Sequence, residues 1–305
     1  MESLVSFFIA LAAAPLLPGL ILKVKAWFVG KKGPPLLIRY YSLVKLLRKG
    51  AVYSDSAGFV FRLGPLISCA AAVMALAFFP FAGIQPLIAF DGDIIVLAYI
   101  LATGRFFTML AALDTASPFE GMGAAREAFF STLAEVALFV LIIFFWRVSG
   151  GLSLAGWFTG AHPVSFAGAQ GALLLLVIVS LFMLLLAENS RVPVDDPATH
   201  LELTMIHEAM ILDHSGPDLA LIELGAFCKL FFYAAFVAAL FLPPWPLAPI
   251  PALALFYALV VLVYLVVGVI ESSTARLRMD LAPRYILTSF AVAFFALILT
   301  VEFFP

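Results

Sequence analysis

Cysteine is scarce in this sequence: there are two, Cys69 and Cys228, and they lie in separate apolar stretches. An iron–sulfur cluster is held by about four cysteine thiolates, so we expect no such cluster in this chain. None of the four histidines falls within an apolar stretch long enough to span a membrane. A haem held between two histidines inside the bilayer is therefore excluded. The histidines also lack the spacing of zinc ligands, and we expect no metal site.

Charged residues are few as well. They make up 12% of the chain, and hydrophobic residues make up 64%, whereas soluble domains average about 25% charged residues. There is no basic domain and no surface where basic and aromatic residues alternate, so we expect no nucleic-acid partner. No glycine-rich phosphate loop and no nucleophile motif occurs. The chain alone is therefore not expected to carry out redox chemistry or hydrolysis, and its composition indicates a membrane protein.

Eight apolar runs are long enough to cross a bilayer, which takes about 20 residues in a helix. The runs are continuous rather than alternating, and continuous runs are typical of spanning helices. We therefore predict an all-α integral membrane protein with eight transmembrane helices in a single membrane domain over residues 1–305. The predicted spans are 3–22, 63–82, 90–112, 128–149, 168–187, 223–242, 250–270 and 284–304.

The positive charges are distributed unevenly between the two sides of the predicted bundle. The loops on one side hold 14 of the 17 lysines and arginines, and the loops on the other side hold none. Because positively charged loops stay in the cytoplasm, this bias predicts a multi-pass protein of the cell inner (plasma) membrane with both termini on the outer side. The predicted cytoplasmic loops are 23–62, 113–127, 188–222 and 271–284.

The first cytoplasmic loop has a helical pattern of its own. Its apolar positions share one helical stripe: Leu36, Tyr40, Leu43 and Leu47. Its basic positions lie on the opposite face: Lys45, Arg48 and Lys49. This pattern predicts an amphipathic surface helix. The helix could lie on anionic lipid of the bilayer or dock a soluble partner, and the sequence leaves both open.

The third cytoplasmic loop contains most of the titratable groups. Residues 188–218 carry three histidines and, against seven acids, a single fixed positive charge, Arg191. The acids are Glu188, Asp195, Asp196, Glu202, Glu208, Asp213 and Asp218. Two prolines bend the start of the segment, and an acidic helix is predicted from Ala198 to Leu212. A membrane protein places so many acids only where water, basic partners or a transported cation meet them.

A further carboxylate, Glu135, lies about two turns inside the fourth span. Glu127 and Glu120 precede it on nearly the same face, so the three could form a ladder of acids leading inward. Alternatively, Glu120 and Glu127 only stabilise the start of that helix.

Two cations, Arg105 and Lys229, fall within predicted spans. Because an isolated charge inside a membrane is costly, we expect each to pair with an acid such as Asp114 or Glu223.

The cytoplasmic blocks together resemble the complex I subunit 1 family. The blocks are GPPLLIRYYSLVKLLRKG at 33–50, LDTASPFEGMGAAREAFFSTLAE at 113–135, AENSRVPVDDPATHLELTMIHEAMILDHSG at 187–216 and ESSTARLRMDLAPR at 271–284. Within that family the chain most resembles the membrane subunit of group 4 membrane-bound nickel–iron hydrogenases. The segment ELTMIHEAMILDHSG is about three residues longer than the ELxxGxxxEYSG of complex I members, which favours the hydrogenase type.

The resemblance implies a tilted bundle of eight helices whose loops bind a hydrogenase-like large subunit and an iron–sulfur small subunit. A nickel–iron centre and iron–sulfur clusters are then expected in those partners, with no cofactor in this chain, and antiporter-like membrane subunits are expected beside it. The acids that it assigns to an ion relay, together with the ladder, are Glu135, Glu188, Glu202, Glu208, Asp213, Asp195, Glu127 and Glu120. The residues assigned to partner docking are Arg191, Arg278, Lys45, Arg48 and Lys49.

The sequence therefore predicts a membrane anchor and a proton- or sodium-coupling subunit of a hydrogenase-type, complex I-related oxidoreductase. A complex I-type quinone-site subunit is one alternative, and a stand-alone secondary transporter is another. A third is a purely structural anchor whose acids are inert.

Overall fold

The computed structural model describes residues 1–54, 56–159, 170–196, 205–243 and 248–303. Within these ranges helix is the only regular secondary structure. Eight of the helical segments are long and apolar enough to cross a membrane. The prediction of an all-α protein with eight spans is thus confirmed.

The helices are α1 (Glu2–Leu16), α2 (Pro18–Phe28), α3 (Ile38–Leu47), α4 (Phe59–Ala77), α5 (Asp93–Asp114), α6 (Pro118–Ser149), α7 (Leu154–Thr159), α8 (Gln170–Glu188), α9 (His207–Met210), α10 (Gly216–Ala239), α11 (Pro249–Ser273) and α12 (Ala282–Phe303). Helices α1 and α2 together form the first span. They are separated at Leu17 because Pro15 and Pro18 lack the N–H groups that a continuous helix needs there.

Helix α10 is the centre of the bundle. Every residue from Leu230 to Leu240 is buried, and the helix packs against α1, α3, α4 and α11. A helix that is apolar on all sides belongs inside a bundle. Small residues bring its neighbours close: a Cβ at Gly225 would lie 3.1 Å from the Cα of Cys69, and one at Gly104 would lie 3.0 Å from the Cβ of Ala71. Helices α4, α5 and α10 therefore pack tightly around the space that the charged residues occupy.

The predicted surface helix of the first loop is present as α3. Leu43 is buried, and the hydroxyl of Tyr40 donates a hydrogen bond to the carbonyl of Ala12. Leu36 precedes the helix and is exposed, as is Leu47, so the buried stripe is shorter than predicted. This follows from its packing, because α3 rests on α1, α2 and α10 mainly through its middle. The basic face is exposed, as the pattern predicts: Lys45, Arg48 and Lys49.

The acidic helix of the third loop is different from the prediction. Residues 198–204 lie outside the described residues, and among those that follow only His207–Met210 is helical. Hydrogen bonds with two side chains hold the backbone just before His207 in a non-helical conformation. Arg126 donates to the carbonyl of Met205 over 2.9 Å, and Asp195 accepts the N–H of His207 over 3.2 Å. A helix continuous from Met205 to Leu212 is therefore wrong.

Two spans begin seven or more residues earlier than the apolar pattern predicted. Helix α6 begins at Pro118 rather than 128, and α10 begins at Gly216 rather than 223. Each has a proline in its first turn, where the missing N–H costs nothing. At 32 residues, α6 is about 48 Å long, against about 30 Å for the hydrocarbon core of a bilayer. Its first turns, which include Glu120, therefore reach beyond the apolar layer.

Candidate functional site

Four charged side chains on four helices form one connected network of ion pairs. Arg105 of α5 binds Glu135 of α6, with 2.5 Å between Nη2 and Oε1, and its other terminal nitrogen binds Glu188 at the end of α8. The second carboxylate oxygen of Glu188 lies 2.9 Å from the Nζ of Lys229 in α10. Lys229 also donates to the main-chain carbonyl of Glu188 over 2.6 Å. Two cations thus face two carboxylates, and the set is neutral when all four are ionised.

Each in-span cation thus pairs with an acid, as expected, but the acids are Glu135 and Glu188 and not the suggested Asp114 or Glu223. Asp114 instead accepts the backbone N–H groups of Gly58 (2.8 Å) and Phe61 (3.0 Å) and so caps α4. Glu223 lies on α10 one and a half turns before Lys229, too far round the helix to face it. Sequence spacing relates residues within one helix, and it does not show which helices are neighbours.

The network borders a cavity of about 330 Å³ between the helices. Apolar residues such as Ala72 and Leu101 line one part of it. The charged residues that line it are Arg39, Arg105, Glu127, Glu188, Arg191, Glu208, Glu223 and Lys229. A space with this many fixed charges suits water or a small polar species rather than lipid.

The three acids of the proposed ladder on α6 lie in two separate places. Glu127 lines the cavity together with Arg105, and Arg105 binds Glu135, so both acids lie near the same cation. Glu120 is not part of the cavity. It is fully buried and accepts the backbone N–H of Asp213 over 3.0 Å. The side chain of Asp213 is exposed, so neither residue contacts the network.

Asp195 connects the third and fourth of the charged loops instead of lining the cavity. It is 2% exposed and forms an ion pair of 2.8 Å with Arg276. Burial raises the pKa of Asp195, and the positive charge of Arg276 opposes that rise. The backbone makes a parallel connection, since the N–H of Leu277 donates to the carbonyl of Pro193 over 2.9 Å. The third and fourth loops are thus held together at this point.

Sequence reasoning missed a further buried carboxylate, Glu271. Its side chain is 1% exposed, and its two oxygens bind Lys25 at 3.2 Å and Arg191 at 3.3 Å. It joins α2, α11 and the turn that follows α8, where Ser190 has a φ of 49°. A signal was present, because Glu271 is the one charged residue between positions 249 and 273. Arg39 was missed as well, although it stands four positions before Leu43 on the buried side of α3.

The remaining predicted positions are scattered. Glu202 and His200 lie outside the described residues. Arg278 is 82% exposed at its side chain and pairs with Asp280 over 3.2 Å. His207, beside Asp195, is half-buried, and its partial burial lowers its pKa to about 4. Among the described residues, no three histidine, cysteine or acidic side chains are grouped so that they could hold a metal ion.

The fold and the network define a multi-pass membrane subunit with an internal ion-pair chain. The chain belongs to the NADH dehydrogenase family, whose sequence model matches residues 1–301. It is 30% identical to formate hydrogenlyase subunit 4 of Escherichia coli K12 over 303 residues, covering 97% of this chain and 96% of that protein. Hydrogenase-4 component C of the same organism is also 30% identical, over 93% of this chain and 90% of its own length. NADH-ubiquinone oxidoreductase chain 1 of Triticum aestivum is 26% identical over 75% of this chain and 71% of its own length. The resemblance read from the loop motifs is therefore confirmed.

A solved structure shares the fold over nearly the whole chain. A chain from the membrane-bound sulfane sulfur reductase, an archaeal respiratory membrane complex, superposes with a TM-score of 0.82 and covers 97% of each chain. The two sequences are 22% identical. Together with the relatives, this likeness supports a membrane subunit of a multisubunit complex.

Proposed function

We propose that the chain is the membrane anchor and ion-coupling subunit of a hydrogenase-type, complex I-related oxidoreductase. The observation that carries the proposal is the ion-pair network, which connects the two ends of the proposed path. Glu188 lies where α8 meets the third cytoplasmic loop, and Glu135 lies inside α6. Arg105 binds both carboxylates at once. A change of charge near the loop therefore acts directly on a carboxylate inside the α6 span.

The position of Glu135 supports a neighbouring membrane subunit. It is 17 residues from Pro118 and 14 from Ser149, or about 26 Å and 21 Å along the helix. Its side chain is nevertheless 39% exposed on the side of the bundle. A carboxylate that faces lipid at this depth costs about 3 kcal/mol or more. We infer that an antiporter-like membrane subunit covers this position and receives the ion there.

The relay works by competition for one guanidinium. While Glu188 is ionised it competes with Glu135 for Arg105, and in this state Glu135 holds a proton or a sodium ion; Lys229 neutralises the remaining charge on Glu188. Protonation of Glu188, or a movement of the loop that follows it, leaves Arg105 bound mainly to Glu135. A proton or sodium ion held at Glu135 is then released, because the carboxylate has gained a closer cation. Glu127, in the same cavity, is the second acid available for the transfer.

The docking side of the function rests on the exposed cytoplasmic residues. Arg278 and the basic face of α3 (Lys45, Arg48 and Lys49) are exposed and can contact an acidic surface. In our proposal they bind the hydrogenase-like large subunit and the iron–sulfur small subunit. Those partners supply the nickel–iron centre and the iron–sulfur clusters, while this chain supplies the membrane attachment and the acids.

The test is gradient formation by the assembled complex in liposomes. Glu135→Gln keeps the size and hydrogen bonding of the side chain but cannot ionise. We expect the gradient during turnover to fall at least tenfold, while electron transfer to an artificial acceptor falls less. Glu2→Gln, at an exposed position in the first turn of α1, is the matched control and should leave both unchanged.

Two results would contradict the proposal. A Glu135→Gln complex that assembles and still builds a normal gradient would show that the acids are structural. Ion transport by the purified chain without partners would instead favour a stand-alone transporter.

A further inference from the structure

One residue of the surface helix α3 reaches into the interior. Among the described residues that line the cavity, Arg39 is the one that comes from the first cytoplasmic loop; the others belong to α4, α5, α6, α8, α9, α10 and the turns beside α8 and α9. The basic residues Lys45, Arg48 and Lys49, in the last turn of α3 and just after it, are exposed. Arg39 is therefore the direct contact between the predicted docking helix and the charged cavity.

Arg39 is held by weak, nondirectional contacts. Its guanidinium carbon lies 5.7 Å from the centre of the Phe227 ring, a cation–π distance. The negative charges of Glu223 and Glu208 attract it, and the positive charge of Arg191 repels it. Within the described part of the chain, Arg39 and Glu223 form no short ion pair, so the side chain is attracted to the cavity without being fixed there.

Unused hydrogen-bonding groups mark the same place. The Nε of Arg39 and the Oε2 of Glu223 are both buried, and neither has a hydrogen-bond partner among the described residues. The Nε of Arg191, which also lines the cavity, is likewise buried without a hydrogen-bond partner among the described residues. A buried donor or acceptor left without a partner costs about 1–3 kcal/mol. Water entering the cavity would recover that cost at each group, and Arg39 is the lining residue that α3 supplies.

We propose that Arg39 is a movable plug that closes the cavity on its α3 side, and that the seating of α3 sets whether the plug is in place. A soluble subunit bound to the exposed basic face tilts or shifts α3. Arg39 then withdraws from Phe227 and Glu223, and water gains access to the acids of the cavity. In this respect the inference rests on the proposed function, since it gives the docking helix a means of opening the ion path. Arg39 acts as a positioning residue and carries no ion itself.

The experiment measures access to the cavity directly. Thr108 lines the cavity and is 7% exposed, so Thr108→Cys places a nearly isosteric thiol inside it. The two native cysteines, both buried and free, are first replaced by alanine. The rate at which a charged, water-soluble methanethiosulfonate labels the new thiol is then measured on the purified full chain in detergent. With Arg39 present, labelling should be slow.

Removing the plug should speed labelling at least tenfold in Arg39→Ala, and also in Arg39→Gln, which keeps most of the side-chain volume. Arg39→Lys, which keeps the charge and the length, should remain slow. Lys32→Ala removes an exposed cation of the same loop and is the matched control, with no change expected. Equal rates in the Arg39, Arg39→Ala and Arg39→Gln proteins would overturn the inference.

A second variant tests what holds the plug. Glu223→Gln removes the charge that attracts Arg39 and should also speed labelling. Combining it with Arg39→Ala should add little, because both changes release the same side chain. Independent, multiplying effects would contradict the arrangement. This readout does not depend on ion transport, so unchanged labelling rates alongside a defective Glu135→Gln complex would reject the plug and leave the proposed function standing.

Discussion

The pairing of Glu188 with two cations makes a quantitative prediction about stability. The side chain of Glu188 is 5% exposed, and those of its partners Arg105 and Lys229 are 12% and 16% exposed. Removing one partner of a buried ion pair costs about 3–5 kcal/mol, because the remaining charge is left uncompensated. Glu188→Gln changes the set from neutral to a net charge of +1. Since Arg105 keeps Glu135 and Lys229 keeps a main-chain carbonyl, we expect a loss near the lower end, about 3 kcal/mol.

A second substitution separates charge from packing. Lys229→Met alone leaves an excess negative charge and should also destabilise the chain. In the double variant Glu188→Gln/Lys229→Met the set is neutral again, with Arg105 facing Glu135. The double variant should therefore lose less free energy than the two single variants added together, by at least about 1 kcal/mol. The assay is thermal or denaturant-induced unfolding of the purified chain in detergent, with each transition checked for reversibility.

Additive losses would refute this reasoning. They would mean that Glu188 and Lys229 do not interact energetically, and that the network is not one electrostatic unit. A loss below about 1 kcal/mol for Glu188→Gln would be equally damaging, since it is the size expected of an exposed ion pair.

Three further predictions concern the charged loops between the spans. His214 is stacked on Phe61 with 3.9 Å between ring centres, and burial lowers its pKa to about 4. As the pH falls, the unfolded chain therefore protonates this histidine before the folded chain does. Stability should fall as the pH drops from about 6.5 to 4. His214→Phe, melted at several pH values, should show a shallower fall, and an unchanged slope would contradict the assignment. Asp195→Asn breaks a buried ion pair, and hydrogen exchange at the backbone of 192–196 should become at least several-fold faster; unchanged protection would contradict the role of Asp195 in joining the loops. A triple variant reverses the charge of the basic face of α3: Lys45→Glu, Arg48→Glu and Lys49→Glu. It should weaken assembly with soluble subunits while the abundance of the chain stays constant. A fully assembled complex would count against docking at this face.

The spans were predictable because a bilayer imposes one simple requirement. Each crossing needs about 20 apolar residues in a helix, and this requirement can be read without knowing what the helix touches. The start of α6 was less predictable, because Pro118 and Ser117 begin the helix outside the apolar run. The prediction of a helix in the third loop was wrong for a related reason. Its backbone is held by the side chains of Arg126 and Asp195, and local propensity contains no information about them.

The site was only partly predictable. Glu135, Arg105 and Lys229 were recognised because a charge within an apolar run is conspicuous. Their partners were not, since pairing depends on which helices are adjacent and on how far each one is rotated. Glu271 shows the limit most clearly: its two partners are 246 and 80 positions away along the chain, at Lys25 and Arg191.

The central claim is that Glu135 changes its state of protonation or ion binding when the complex turns over. The most direct measurement is a redox-triggered infrared difference spectrum of the assembled complex in the carboxyl region. We predict a carboxyl band that responds to reduction, disappears in Glu135→Gln and persists in Glu2→Gln. A difference spectrum that is the same in the unmodified and Glu135→Gln complexes would contradict the account.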